Sequence, residues 1–279
     1  MGKGTPIITL TTDFGSRDPF VGIMKGVILS INPAARLVDL THHIERFNVE
    51  EALYTLSYSH LYFPPGTIHV VVVDPDVGSG RRPLLAQGND SLFIAPDNGV
   101  LSFLFEGDEG CTVRAITSEK VMRHPVSQTF HGRDVFAPAA GWLSKGVKPG
   151  EVGEVITDYK GLNIPQLLIS EHGVLGEIIH IDRFGNLITN IQKRHLEALM
   201  KKGKELIGET RGSQVRGIYS AYGENRSDNP GMIINSFDLL EIFCYKDNAH
   251  DKTGVERGER VHIYVGPKPS RQEPRSIVP

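Results

Sequence analysis

The segment Thr67–Asp74, TIHVVVVD, limits the fold more than any other part of the chain. Its four consecutive valines leave no polar face, so a strand made from them must be covered on both sides. β-Branched side chains also favour extended backbone over helix. A continuous apolar run of this kind points to the middle of a parallel sheet clad by helices, not to a sheet with one wet face.

The flanking sequence supplies the partners. PIITLTT (Pro6–Thr12) and RLVDLT (Arg36–Thr41) read as strands, and PFVGIMKGVILSI (Pro19–Ile31) reads as a helix closed by Asn32-Pro33. NVEEALYTLSYSH (Asn48–His60) reads as a second helix, SLFIAPDNG (Ser91–Gly99) as a strand entering a turn. GRDVFAPAAGWLSKG (Gly132–Gly146) is a further helix with Pro138 as a kink or first-turn residue. Strand and helix alternate as in an α/β layer fold. Beyond Pro149 the chain becomes rich in Gly and Pro, and short strand signals follow: GVLGEIIHID, NLITNI, GMIINS, LLEIFCY and RVHIYVG. The expectation is an N-terminal α/β domain with a mainly parallel central sheet over 1–160 and a linker over 161–172. A smaller antiparallel β-barrel-like domain over 173–267 and a loosely held tail over 268–279 complete it.

A chain of 279 residues can bury two such cores. Its 39% hydrophobic and 23% charged residues are those of an ordinary globular protein. A net charge of −3 gives no broad basic surface for nucleic acid. No stretch approaches the eighteen or so apolar residues of a membrane span, and MGKGTPIITL lacks the features of a signal peptide, so the expected place is the cytoplasm. Cys111 and Cys244 are far apart with no CxxC spacing and read as buried free thiols.

Ligands of open α/β sheets bind beyond the carboxyl ends of the strands. Acidic residues stand at several predicted strand ends: Asp13 and Asp18 in TTDFGSRD, Asp74 and Asp76 in VVVDPDVG, and Asp97 in APDNG; THHIE follows the second strand. Asp and Gly also suit tight turns, and VDPDVGSGRR alone reads as a salt-bridged surface turn. Asp13-Phe14-Gly15 matches a kinase tripeptide without the loops that give it meaning. Gly78-Ser79-Gly80 is too short for a phosphate loop and reads as a flexible turn. His42, His43 and Glu45 lack metal-ligand spacing. His131 in TFHGRD stands just before a helix signal.

Together these segments resemble the S-adenosyl-L-methionine hydroxide adenosyltransferases, or SAM hydrolases, which are related to fluorinase and chlorinase. TTDFGSRDPFVGIMKG, VEEA, FPPGTIHVVVVDPDVG, PDNG, TFHGRD, DRFGNLITNI and INS…LLEI occur in the family's order across nearly the whole chain. The resemblance implies attack of water on ribose C5′ of S-adenosylmethionine, giving adenosine and methionine without metal or added cofactor. It implies a water-handling triad of Asp74, Arg81 and His131. It implies Asp13 on the ribose hydroxyls, Phe47 against the ribose, and Asp18 and Asp182 near the methionine ammonium. Phe184 and Asn186 correspond to adenine-stacking and adenine-bonding residues, Ser236 to a contact with the methionine carboxylate, and Glu241 to the adenine end. It also implies a homotrimer whose sites lie between the N-terminal domain of one subunit and the C-terminal domain of the next.

The chemistry of the triad can be weighed by itself. A sulfonium leaves readily, so the demand is for a positioned and activated nucleophile. On residue types alone Asp74 would orient the water and Arg81 would fix that carboxylate. His131 would take the proton, because imidazole titrates near neutrality. In the halogenases the position of Asp74 is uncharged and a serine stands at the position of Gly132. A carboxylate beside the nucleophile should repel a halide. Three departures stand out: Asp76 where the family has glycine, Arg183 where it has histidine, and Phe237 where fluorinase has an arginine. The alternatives are a halide adenosyltransferase and a non-catalytic sensor of adenosine or S-adenosylmethionine.

Overall fold

The computed structural model describes residues 4–105, 111–201 and 205–266. The predicted tail, 268–279, lies outside the described residues. Contacts divide the chain into two compact units, 1–164 and 165–279.

In the first unit β1 (Ile7–Thr12), α1 (Phe20–Ile31), β2 (Arg36–Thr41), α2 (Val49–Ser59) and β3 (Ile68–Val72) alternate as the hydrophobic patterns require. β4 (Pro83–Gly88), β5 (Ser91–Pro96), the short α3 (Ser102–Phe105), β6 (Thr112–Ala115) and α4 (Ala137–Lys145) follow. The sheet order among the described residues is β2-β1-β3-β5-β4-β6. The first four are mutually parallel, and β4 runs against both β5 and β6. β3 is buried throughout, as its valines demand. Ile68, Val70 and Val72 pack with Met24 and Ile28 of α1 and with Ala139, Ala140 and Leu143 of α4. Val71 and Val73 pack on the opposite face with Ala52 and Leu56 of α2 and with Phe93. That alternation is the period of two of a strand covered on both faces.

β4 and β6 are additions to the expected sheet. PLLAQG is short and bounded by Pro and Gly, so periodicity does not reveal it. It is closed onto β5 by Asn89-Asp90, both with positive φ (49° and 55°), the conformation of a tight hairpin turn. Pro138 stands where the π-type turn passes into α4, and the Asp134 carbonyl four residues before it accepts the Arg123 N–H at 2.8 Å instead; Gly146 ends that helix at φ 109°.

The second unit contains β7 (Leu168–Ile169), β8 (Gly173–Ile181), β9 (Leu187–Gln192), α5 (Lys193–Met200), β10 (Leu206–Thr210), β11 (Ser213–Arg216), β12 (Ile218–Tyr219), β13 (Gly231–Ile234), β14 (Leu239–Phe243), α6 (Ala249–Thr253) and β15 (Arg260–Val265). Its sheet runs β11-β10-β15-β8-β9-β14-β13-β12, with β7 on β8. All described pairings are antiparallel except the two-residue β12–β13 pair. The terminal strands β11 and β12 are neighbours in sequence across Gly217 (φ 76°), so the sheet curls back until its ends meet. This is the nearly closed barrel that the strand spacing implies.

One expectation needs correction. Cys244 is buried, but Cys111 is only half-buried, because it stands at the mouth of β6 and not inside it. In the GSG turn Gly80 faces open space, whereas Gly78 has φ 81°, and a Cβ there would lie 2.2 Å from the carbonyl oxygen of Gln128. Only glycine permits that approach.

Candidate active site

Strand connections leave β1 toward β2 on one side and leave β3 toward β5 on the other, so the sheet's topological switch point lies between β1 and β3. Thr12 pairs with Val72 in the register of these strands. Asp13 and Asp74 therefore emerge at the same edge, from adjacent strands.

Asp74 is held from several sides. Asn98, in the PDNG segment, donates its amide N–H to the carbonyl of Val73 at 2.9 Å and fixes the end of β3. Arg81 Nε donates to Asp74 Oδ1 at 2.9 Å, and Arg81 Nη2 donates to Asp74 Oδ2. The same Nη2 lies 2.8 Å from His131 Nδ1. The pair is nearly enclosed, with side-chain exposures of 1% for Arg81 and 5% for Asp74, and the guanidinium lies 5.2 Å from the ring centre of Phe136. Asp74 and Arg81, seven residues apart, and His131, fifty residues further along, thus form one hydrogen-bonded chain. Arg82 turns the other way, onto buried Asp97 (Nη2–Oδ2 2.8 Å) and onto Asp158. Asp97 also accepts the Lys160 N–H at 2.7 Å and so anchors the segment after α4.

His131 opens a wide π-type turn, Gly132–Phe136, the kind of helix defect that recurs at functional sites. Burial, then the charge of Arg81, lowers its pKa, and Asp74 and Asp134 offset part of that shift. Asp134, fully buried, accepts from the Ser127 N–H at 2.9 Å, from Arg133 at 2.7 and 2.8 Å and from Arg123 at 3.2 Å. This knot fixes the segment that leads into His131. Phe14, Phe20 and Phe130 meet edge to face at 5.3–6.1 Å, tying the loop after Asp13 to the same segment.

Asp13 Oδ2 accepts the backbone N–H of Phe47 at 3.0 Å. Phe47 is 65% exposed and has φ 66°, a strained state for a bulky residue and one that marks functional sites. Asp18 is exposed on the loop between β1 and α1. Asp76 is exposed and its φ is not positive, so the glycine usual there is not needed for the turn. His42 places Nδ1 3.0 Å from Thr12 Oγ1 and Nε2 2.9 Å from Asp39. Among the described residues no group of three or more His, Cys, Asp or Glu side chains is placed to hold a metal.

Of the candidates in the second unit, Asp182, Phe184 and Asn186 form the β8–β9 turn, Glu241 stands on β14 and Ser236 on the turn before it. Asp182 Oδ1 accepts the N–H groups of Phe184 (2.8 Å) and Asn186 (2.9 Å), and Oδ2 accepts the Asn186 side-chain amide at 3.0 Å. The carboxylate builds the turn and orients Asn186, which is itself buried. Phe184 is left 76% exposed. Gly185 has φ 80°, and a Cβ there would lie 1.9 Å from Asn248 Oδ1. Glu241 is buried and accepts from Tyr222 Oη at 2.8 Å and Asn235 Nδ2 at 3.2 Å. Burial raises its pKa; the two donors work against this and Asp182 adds to it. Ser236 and Phe237 are exposed on the turn organised by Asn235, which accepts the N–H groups of Phe237 and Leu239. Asn98, Asp134, Asn235 and Tyr222 were not singled out from the sequence, since a positioning amide, acid or phenol carries no spacing signal.

An open α/β sheet with a carboxylate–guanidinium–imidazole chain at its switch point, followed by a small β barrel, has the build of an enzyme that handles its nucleophile with side chains. Known proteins match over both units. Residues 8–153 match the SAM hydroxide adenosyltransferase N-terminal domain and residues 176–262 match the C-terminal domain. The chain is 33% identical to the (R)-S-adenosyl-L-methionine hydrolase of Methanocaldococcus jannaschii over 92% of this chain and 95% of that one. It is 30% identical to the fluorinase of an Actinoplanes species over 70% and 74% of the two chains. The crystal structure of an uncharacterized conserved protein from Thermotoga maritima superposes with a TM-score of 0.87 at 32% identity, covering 92% of this chain and 99% of that one. The chain belongs to the SAM hydroxide adenosyltransferase family of enzymes.

Proposed function

We propose that this enzyme hydrolyses S-adenosyl-L-methionine to adenosine and L-methionine by attack of water on ribose C5′. The reading rests foremost on the Asp74–Arg81–His131 chain beside Asp13 at the switch point, and the hydrolase relatives support it. The C5′–O bond forms as the C5′–S bond breaks, sulfur keeps the electron pair as the methionine thioether, and one water proton leaves. Sulfur needs no acid, so the protein's task is to align the water and stabilise its developing charge.

In this reading Asp13 accepts both ribose hydroxyls with Phe47 over the sugar. Asp18 and Asp182 meet the ammonium, Phe184 and Asn186 serve adenine with Glu241 behind them, and Ser236 meets the methionine carboxylate. These groups belong to two units of the chain, and in this reading the enzyme is a homotrimer with sites shared between subunits, as the family resemblance implies. The reaction uses no metal or further cofactor and belongs in the cytoplasm, without membrane or nucleic acid. Halide transfer is disfavoured by the enclosed Asp74 carboxylate and by Gly132, where an added Cβ would already lie 3.1 Å from Met24 Sδ and from the Phe130 ring.

Incubation with both sulfonium epimers of the substrate in 18O-water tests the proposal. Adenosine labelled at the 5′-hydroxyl, with equimolar methionine, is expected from the wild type and lost in Asp74→Ala and His131→Ala. Adenosine binding without turnover above background would overturn it, and a halide-dependent product would move the assignment to the halogenases.

A further inference from the structure

The hydrogen bond between Arg81 and His131 has only one possible direction, and on the hydrolase reading above this decides where the proton of water goes. Arginine has five N–H donors, no acceptor, and stays protonated in proteins. Nη2 carries two hydrogens: one goes to Asp74 Oδ2 and the other to His131 Nδ1. Nδ1 is therefore an acceptor, and the proton of the neutral ring sits on Nε2. A ring in that state has no free nitrogen with which to take a proton from water. Its surroundings maintain the state. Arg81 faces Nδ1 directly, and of the two carboxylates near the ring Asp74 is paired with Arg81, Asp134 with Arg133 and Arg123.

We propose that His131 is the donor that holds the attacking oxygen through Nε2–H, and that Asp74 receives the proton. As a lone pair of water bonds to C5′ and the C5′–S pair passes to sulfur, the attacking oxygen becomes an oxonium. An oxonium is far more acidic than a carboxylic acid, so a carboxylate held charged by arginine is base enough. One of its protons moves to Asp74 and on to solvent, and the other remains as the 5′-hydroxyl. A carboxylate has about four acceptor positions, and Arg81 takes one on each oxygen, which leaves room for this transfer. Residue type alone made His131 the acceptor; its bond to a cation reverses the role.

Two measurements test this. Nitrogen NMR of 15N-histidine-labelled wild type should show His131 as the Nε2–H tautomer throughout about pH 6 to 8. His131→Gln, which returns an N–H near the place of Nε2, should keep turnover within about tenfold of wild type, whereas His131→Asn, which fills only the Nδ1 place, should lose about a hundredfold or more in kcat. An Nδ1–H tautomer, or a folded Gln variant as inactive as the Asn variant, overturns the proposal. If the Gln variant does not fold, the wild-type tautomer decides. A wild type that releases no adenosine would instead remove the hydrolase reading, and the tautomer would still be read without turnover.

Discussion

Position 132 carries a glycine with little room to spare. A serine there must push Met24 or Phe130 aside by a few tenths of an ångström, and overpacking of this size costs about 1 kcal/mol. Gly132→Ser should therefore lower stability in urea by about that amount, and with Asp74 still in place it should not open a halide reaction; denaturation and product analysis check the two halves. Phe47 is the opposite case. Its left-handed backbone costs about 1–2 kcal/mol and its side chain is largely exposed, so Phe47→Gly should stabilise the fold by roughly 0.5–1 kcal/mol after the entropy cost of glycine. The same change should raise KM for the substrate, because the face over the ribose is gone. Paired stability and kinetic measurements would reveal this trade. Arg81 and Arg82 show the limit of reading by residue type: adjacent and identical, they serve different carboxylates because successive side chains point apart.

At the scale of elements, β3 does more than carry Asp74. His69 on that strand is fully buried, accepts or shares a hydrogen bond with Thr9 Oγ1 at 2.8 Å, stacks on Phe93 at 5.0 Å and has no partner on Nε2 among the described residues. Burial, with a contribution from His60, lowers its pKa from 6.5 to about 3. The unfolded chain binds a proton here that the folded chain refuses. Stability is complete above the ordinary value near 6.5 and falls as the pH drops toward 3, by up to about 1.4 kcal/mol per pH unit. Urea titrations at pH 7, 6 and 5 should show this slope reduced in His69→Asn, which keeps a partner for Thr9. The turn before α4 is a second such element. Asp134→Ala leaves the Ser127 N–H without its acceptor and releases two solvent-accessible arginines, and should cost about 1–2 kcal/mol, read as a lowered urea midpoint.

At the scale of the molecule, the candidate residues are divided between the α/β unit and the barrel. If sites are shared between subunits of a trimer, two inactive variants can repair each other. Asp74→Ala supplies an intact second unit, and a double variant Phe184→Ala/Asn186→Ala supplies an intact first unit. Refolded together in equal amounts, they should regain activity at roughly a quarter of the sites, whereas either alone stays inactive. Sedimentation of the wild type should give the mass of three chains. Absence of complementation in a proven mixed trimer would assign each site to a single chain.

Much of this was legible without coordinates. The valine run required a two-sided cover, the alternation of periods supplied it, and regularly spaced short strands announced the barrel, because burial patterns are written locally in sequence. The order of the motifs sufficed for the family. What only the tertiary structure decided is everything that depends on direction. PLLAQG joins the sheet antiparallel through a turn of two residues with positive φ, Asp182 uses three of its acceptor positions on the turn that aims Asn186, and Arg81 donates to Nδ1 of His131, which leaves the proton of the neutral ring on Nε2. Residue type states which groups can exchange a proton. Which atom faces which partner is set by packing between segments distant in sequence, and that decides which nitrogen of a histidine accepts and which keeps its proton.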